Sequence, residues 1–156
     1  MNLRPFTTPL QPHEVEWRVQ SKSNGKTIVV PYINNRAVMN RLDEVCGADK
    51  WRNEFQRWGD KSVLCGLSIK IGDEWVTKWD GADDTGIEPT KGGISDAMKR
   101  AAVQWGMARD LYTYPRVFLD GEHKYIPSWA QDRLNALVNA FIEGKLDKSV
   151  YTLKQS

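Results

Sequence analysis

Three short segments that alternate apolar and polar residues, followed at once by a segment with helical period, constrain this chain more than anything else in it. Ser62–Ile71 alternates most cleanly: Val63, Cys65, Leu67, Ile69 and Ile71 share one side, and Leu64, Gly66, Ser68 and Lys70 share the other. Side chains on a strand alternate between faces, so this pattern is a strand with one buried face. Trp51–Trp58 alternates before it, with Trp51, Asn53 and Phe55 on one side and Arg52, Glu54 and Gln56 on the other. Gly72-Asp73 makes a turn, and Glu74–Asp80 returns as a third strand. A two-residue turn sets Ile69 opposite Val76 and Lys70 opposite Trp75. The second face of the sheet then carries Lys70, Ser68, Trp75, Thr77 and Trp79, a mixture of charge, hydroxyls and flat rings.

From about Gly93 to Asp110 the period changes to 3.6. Ile94, Ala97, Met98, Ala101, Trp105 and Ala108 form an apolar stripe. The fold class expected is α+β: a three-stranded antiparallel meander packed on a long helix, a β-β-β-α core with flanking helices. One flanking helix runs from a cap at Asn34 or Asn35 to a stop at Gly47, with Val38, Leu42 and Val45 inward. Another covers Ser128–Glu143, with Leu134, Leu137, Val138 and Phe141 inward and Gly144 as the stop. Upstream, Thr8-Pro9 suits a helix start, and His13–Gln20 reads as a short helix with Val15 and Val19 at i, i+4 spacing. Ser21–Gly25 reads as a turn and Lys26–Tyr32 as a strand. The polar tail over 145–156 is expected to be loose.

The 156 residues fit a single domain over 1–156. No apolar run is long enough to span a bilayer, and the first residues lack an apolar signal-peptide core. The expectation is a cytoplasmic protein with two reduced thiols, Cys46 and Cys65. A net charge of +2 does not announce a polyanion binder. The placement of charge matters more: acids gather at Asp73, Glu74, Asp80, Asp83, Asp84 and Glu88, and bases follow at Lys91, Lys99, Arg100, Arg109 and Arg116.

Lys99-Arg100 borders the apolar stripe of the long helix. Small alanines at 97, 101 and 102 let that helix sit close to a sheet, so its cations can line one wall of a groove and track phosphates. An alternative stays open, in which Asp96 pairs with Arg100 at i, i+4 and both cations are merely solvated. Lys91-Gly-Gly-Ile-Ser-Asp leads into the helix, where free N–H groups favour an anion. Its order is not that of a P-loop, so nucleotide hydrolysis is not expected. Asp80, Asp83 and Asp84 are the best candidates for a Mg2+ site of nuclease type, though their spacing matches no strong motif. His13 and His123 have no Cys or Ser partner in sequence, and two cysteines give no zinc spacing. Neither a catalytic set nor a cofactor is expected.

Two segments carry a resemblance. Tyr32-Ile-Asn-Asn-Arg-Ala-Val-Met-Asn-Arg-Leu-Asp-Glu-Val-Cys-Gly-Ala-Asp-Lys-Trp51 resembles the Tyr-Ile…helix…Gly…Trp signature of the Rad fifty-two-type single-strand annealing family. Ile94-Ser-Asp-Ala-Met-Lys-Arg-Ala-Ala-Val-Gln-Trp-Gly106 resembles that family's Thr/Ser-Asp-Gly/Ala-x-Lys-Arg-Ala helix. The resemblance covers roughly residues 26–120 and is greatest to the compact Sak-like phage members and the DdrA-like bacterial ones.

The resemblance implies a ring-forming homo-oligomer that binds single-stranded DNA along a basic groove and anneals complementary strands without ATP, in recombination and repair. Lys99 and Arg100 fall on the family's inner-groove basic pair. The third basic residue of that helix is replaced by Val103, and the arginine of the Tyr-Ile segment by Ala37, with Arg36 adjacent as its substitute. Lys70 and Lys91 lie near further basic positions. The implied partners are single-stranded DNA, other copies of the chain, and an exonuclease or single-strand-binding protein, with no membrane. A strand-coating, end-protecting binder and a metal-dependent nuclease are the competing readings.

Overall fold

The computed structural model describes residues 1–84 and 89–156, with side chains described from residue 92 onward in the second stretch. In chain order the elements are β1 (Val15–Ser23), β2 (Lys26–Ile33), α1 (Asn35–Cys46), β3 (Trp51–Trp58), β4 (Ser62–Ile71), β5 (Glu74–Asp83), α2 (Pro89–Gln104), β6 (Arg116–Asp120), α3 (Ser128–Ile142) and β7 (Val150–Leu153), with 3-10 turns at Arg4–Thr7, Pro12–Glu14 and Arg109–Thr113. They form two compact units.

The first unit comprises Met1–Thr8 and Asn34–Arg109. Its sheet is the antiparallel meander β3-β4-β5, with Ile69 opposite Val76 and Lys70 opposite Trp75, the register read from the two-residue turn. Val63, Cys65, Leu67 and Ile69 are buried beneath α2, which packs on β4 and β5. Ala97, Ala101 and Ala102 are fully buried, so small side chains bring the helix close to the strands. Asn34 caps α1, its Oδ1 accepting from Ala37 N–H at 2.7 Å. Behind α1, the buried Arg41 guanidinium donates to the carbonyls of Phe6 and Thr8.

The second unit comprises Pro9–Ile33 and Asp110–Ser156. Its sheet has the order β1-β2-β6-β7, antiparallel except for the parallel β6–β7 pair. Val29, Ile33, Val117 and Leu119 from the sheet, and Ala130, Leu134 and Val138 from α3, are all buried.

The expected helix over 13–20 is corrected: Pro12–Glu14 makes one 3-10 turn, and β1 follows immediately. Residues four apart share a face in a helix and in a strand alike, so Val15 and Val19 did not discriminate. Val15 and Trp17 are buried while Glu16 and Arg18 are exposed, which is a period of two. The long helix runs from Pro89 to Gln104 rather than from 93 to 110. Beyond Gln104 the backbone turns at Gly106, where φ is +110°. Trp105 and Ala108 nevertheless stay buried, so the apolar stripe outlasts the helix. Strands β6 and β7 had no expectation, and β7 lies within the polar tail.

Candidate nucleic-acid interface

Helix α2 positions the basic pair. Its inward side chains are fixed by Asn53, whose Nδ2 donates to Met98 Sδ at 3.4 Å, and by Trp105 just past its end, whose Nε1 donates to the Leu67 carbonyl at 2.9 Å. The carboxyl end of a helix carries partial negative charge and attracts cations. Here Lys78 Nζ and Arg109 Nη2 both donate to the Gln104 carbonyl, at 3.2 and 3.0 Å, and Arg109 Nε donates to the Val103 carbonyl at 2.9 Å. Lys78 also lies over the Trp105 ring, 4.7 Å from its centroid.

Within this frame the two cations of α2 differ. Lys99 is only 4% exposed, with Nζ 4.0 Å from Asp96 Oδ1. Arg100 is half-buried, at the border of the buried stripe. Arg36 is exposed in the first turn of α1, and α1 contacts α2. The helices therefore bring Arg36, Lys99 and Arg100 onto neighbouring elements of one unit. Lys70 is placed elsewhere. It shares the sheet face of Ser68, opposite the face that α2 covers. The side chain of Lys91 lies outside the described residues, as does the Glu88 end of the acidic run.

The three aspartates proposed for Mg2+ hold separate partners. Asp80 accepts from Gln104 Nε2 at 2.9 Å, Asp83 from Ser62 Oγ at 2.6 Å, and Asp84 from Arg57 Nη1 at 2.7 Å. Among the described residues, no three acidic, histidine or cysteine side chains group as metal ligands. His123 packs edge-on to Trp129, ring centroids 6.1 Å apart, with Nε2 2.8 Å from the Asp120 carbonyl oxygen. Burial first, and the nearby Glu54 carboxylate second, push the Cys65 thiol up to about 12. Burial alone raises that of Cys46. Neither is a poised nucleophile.

The face of the meander turned away from α2 carries more than the sequence reading assigned to it. Arg52 stacks on Trp75, its Cζ 4.3 Å from the ring centroid. Ser68 and Thr77 share a hydrogen bond of 2.7 Å. The six-membered ring of Trp79 lies against Gly66, where an added Cβ would stand 2.8 Å from Cζ2. The alternation placed Lys70, Trp75 and Trp79 on one side. Arg52 was missed because it joins them only through the β3–β4 register, in which it faces Ser68. Among the described residues, no helix is long and apolar enough to cross a membrane.

Residues 3–129 match the family described as Rad52/22 family double-strand break repair protein. The single-stranded DNA-binding protein DdrA of Deinococcus radiodurans is 31% identical over 137 residues, which cover 79% of this chain and 64% of that protein. The DdrA of Deinococcus deserti is 29% identical over 140 residues, covering 79% of this chain and 66% of that protein. The chain thus spans a little under two thirds of the length of these curated relatives. With the helical part of each motif forming α1 and α2 of the first unit and a match running over most of the chain, the chain belongs to the Rad52/22 family of double-strand break repair proteins.

Proposed function

We propose that this protein binds single-stranded DNA and anneals complementary strands in recombination and repair, without ATP and without making or breaking a covalent bond. The observation that carries the reading is the pair Lys99-Arg100 on α2, within the family-matched segment, beside an α1 that presents Arg36. Annealing requires strands held open by their phosphates with base edges free. Phosphate contacts carry no sequence information, so binding is largely sequence-independent and weakens with salt. Arg100 and Arg36 are the direct phosphate contacts. Lys99 adds its charge from within the helix border, Lys91 extends the basic track at the start of the same helix, and Lys70 contributes from the other face of the sheet. A few contacts per copy bind weakly, so a ring of copies along one strand supplies the avidity. The ring and the cytoplasm of a bacterial or phage-infected cell belong to this proposal, as do an exonuclease or single-strand-binding partner.

A second reading is strand coating without strong pairing, since the two Deinococcus relatives are named as single-stranded DNA-binding proteins. Mixing two complementary labelled strands without nucleotide separates the two. Duplex formation well above the spontaneous rate is expected; tight binding at the spontaneous rate would leave only the coating role. Dispersal of Asp80, Asp83 and Asp84 among three partners argues against the nuclease reading, for which DNA loss in Mg2+ is the check.

A further inference from the structure

The open face of the three-stranded sheet is built around a ring that lies down. An indole that anchors a protein–protein contact commonly stands up as a knob and fills a pocket. Trp79 instead lies flat, because Gly66 opposite it has no side chain: the atoms nearest an added Cβ are Cζ2, Cε2 and Cη2 of its ring, at 2.8 to 2.9 Å. Trp79 is 40% exposed, so a broad aromatic surface faces solvent.

Toward one end of the same face stand two cations. Arg52 lies over the Trp75 ring, its Cζ 4.3 Å from the centroid, a contact that holds the guanidinium on this face, where its N–H groups suit oxygen acceptors. Lys70 is directly opposite Trp75 in the register. Glu54, across Gly66 from Trp79, is exposed on this face and disfavours a phosphate beside the ring. A strand is thereby oriented, with its phosphates at the Arg52–Lys70 end and a base over Trp79.

We infer that this face is a base-stacking platform for a single strand, seated on Trp79 and held at its backbone by Arg52 and Lys70. Stacking on an aromatic plane tolerates any base, because every base has a π-face, whereas bases in a duplex are already stacked on each other. The inference rests on the strand-binding reading above and adds a base contact on the face that α2 does not cover.

The test compares the full chain's affinity for labelled oligothymidylate and for an abasic strand of equal length. The wild type is expected to favour the base-bearing strand. Trp79→Ala should weaken thymidylate binding by roughly fivefold or more, bringing it near the abasic value, and leave abasic binding unchanged. Trp79→Phe should retain most of the preference. Gly66→Ala, which displaces the ring, should lose it. A strand carrying 5-iododeoxyuridine should photo-crosslink to Trp79 or Trp75 in the wild type, which decides the matter even where a variant misfolds. An unchanged base preference in folded Trp79→Ala, or crosslinks confined to other residues, would overturn the platform and leave phosphate binding standing. So would a smaller assembly of Trp79→Ala in DNA-free sedimentation, since a second copy would then cover this face. If the wild type binds neither strand, the strand-binding reading itself fails.

Discussion

A side-chain carbon placed on Gly93 would stand 2.6 Å from Oδ1 of Asp84. Asp84 directly follows the last residue of β5, and Val63 Cγ2 closes the same space at 3.2 Å. An exposed helical glycine replaced by alanine gains about 1 kcal/mol. Here the sign is expected to reverse, because overpacking costs about 1–3 kcal/mol. Gly93→Ala should lower the thermal midpoint, and the loss should shrink in an Asp84→Ala background. Additive effects of the two substitutions would show that the close approach carries no energy.

The meander and the long helix were legible because each carries a single unambiguous period. Even the β4–β5 register followed from Gly72-Asp73 alone. β1 was misread because a spacing of four suits both periods, and β6 was missed because Arg116–Asp120 is too short to show one. The candidate site was legible only as a sequence motif. Nothing in the spacing of Lys99 and Arg100 states that one is buried and the other half-exposed, which depends on how closely alanines let α2 approach the sheet. The spacing also could not say that Lys70 sits across the sheet from them.

That difference in burial separates the two cations experimentally. Arg100→Ala should weaken single-strand binding severalfold, leave the thermal midpoint unchanged, and lower the slope of log affinity against log salt by about 0.7. Lys99→Ala should lower both affinity and thermal midpoint, because its stem is packed as well as charged. Salt titrations paired with thermal melts check this. Unchanged affinity for both variants at moderate salt would remove α2 from the interface.

Arg41 holds the first residues of the chain to α1 through the carbonyls of Phe6 and Thr8. Phe6 is fully buried beside it. Arg41→Ala leaves these acceptors without their donor, at a cost of about 1–3 kcal/mol. The expected signature is early proteolytic trimming before Leu10, with the meander still protected. Simultaneous loss of protection throughout the first unit would show that the clip is needed for the whole unit.

The thiols give a pH test. Cys65 is fully buried, so at pH 8 a disulfide reagent should modify Cys46 first and Cys65 only on unfolding. Burial raises the folded Cys65 thiol from 9.0 to about 12, so folding favours its protonated form. Its contribution is complete below the ordinary thiol value and is lost as pH rises from there toward about 12. Stability should therefore fall in that alkaline window, and less steeply in Cys65→Ala. Identical alkaline slopes in denaturant titrations would refute this linkage.

The strand β2 pairs with β6, so that Lys26 meets Asp120 and Val29 meets Val117, whereas every pairing in the meander joins strands consecutive in the chain. Closing a loop that long costs entropy before any contact offsets it. The two units therefore acquire their amide protection at different times: in pulsed hydrogen exchange, β3, β4 and β5 become protected early, and Val117 and Leu119 only after the distant hairpin has found them.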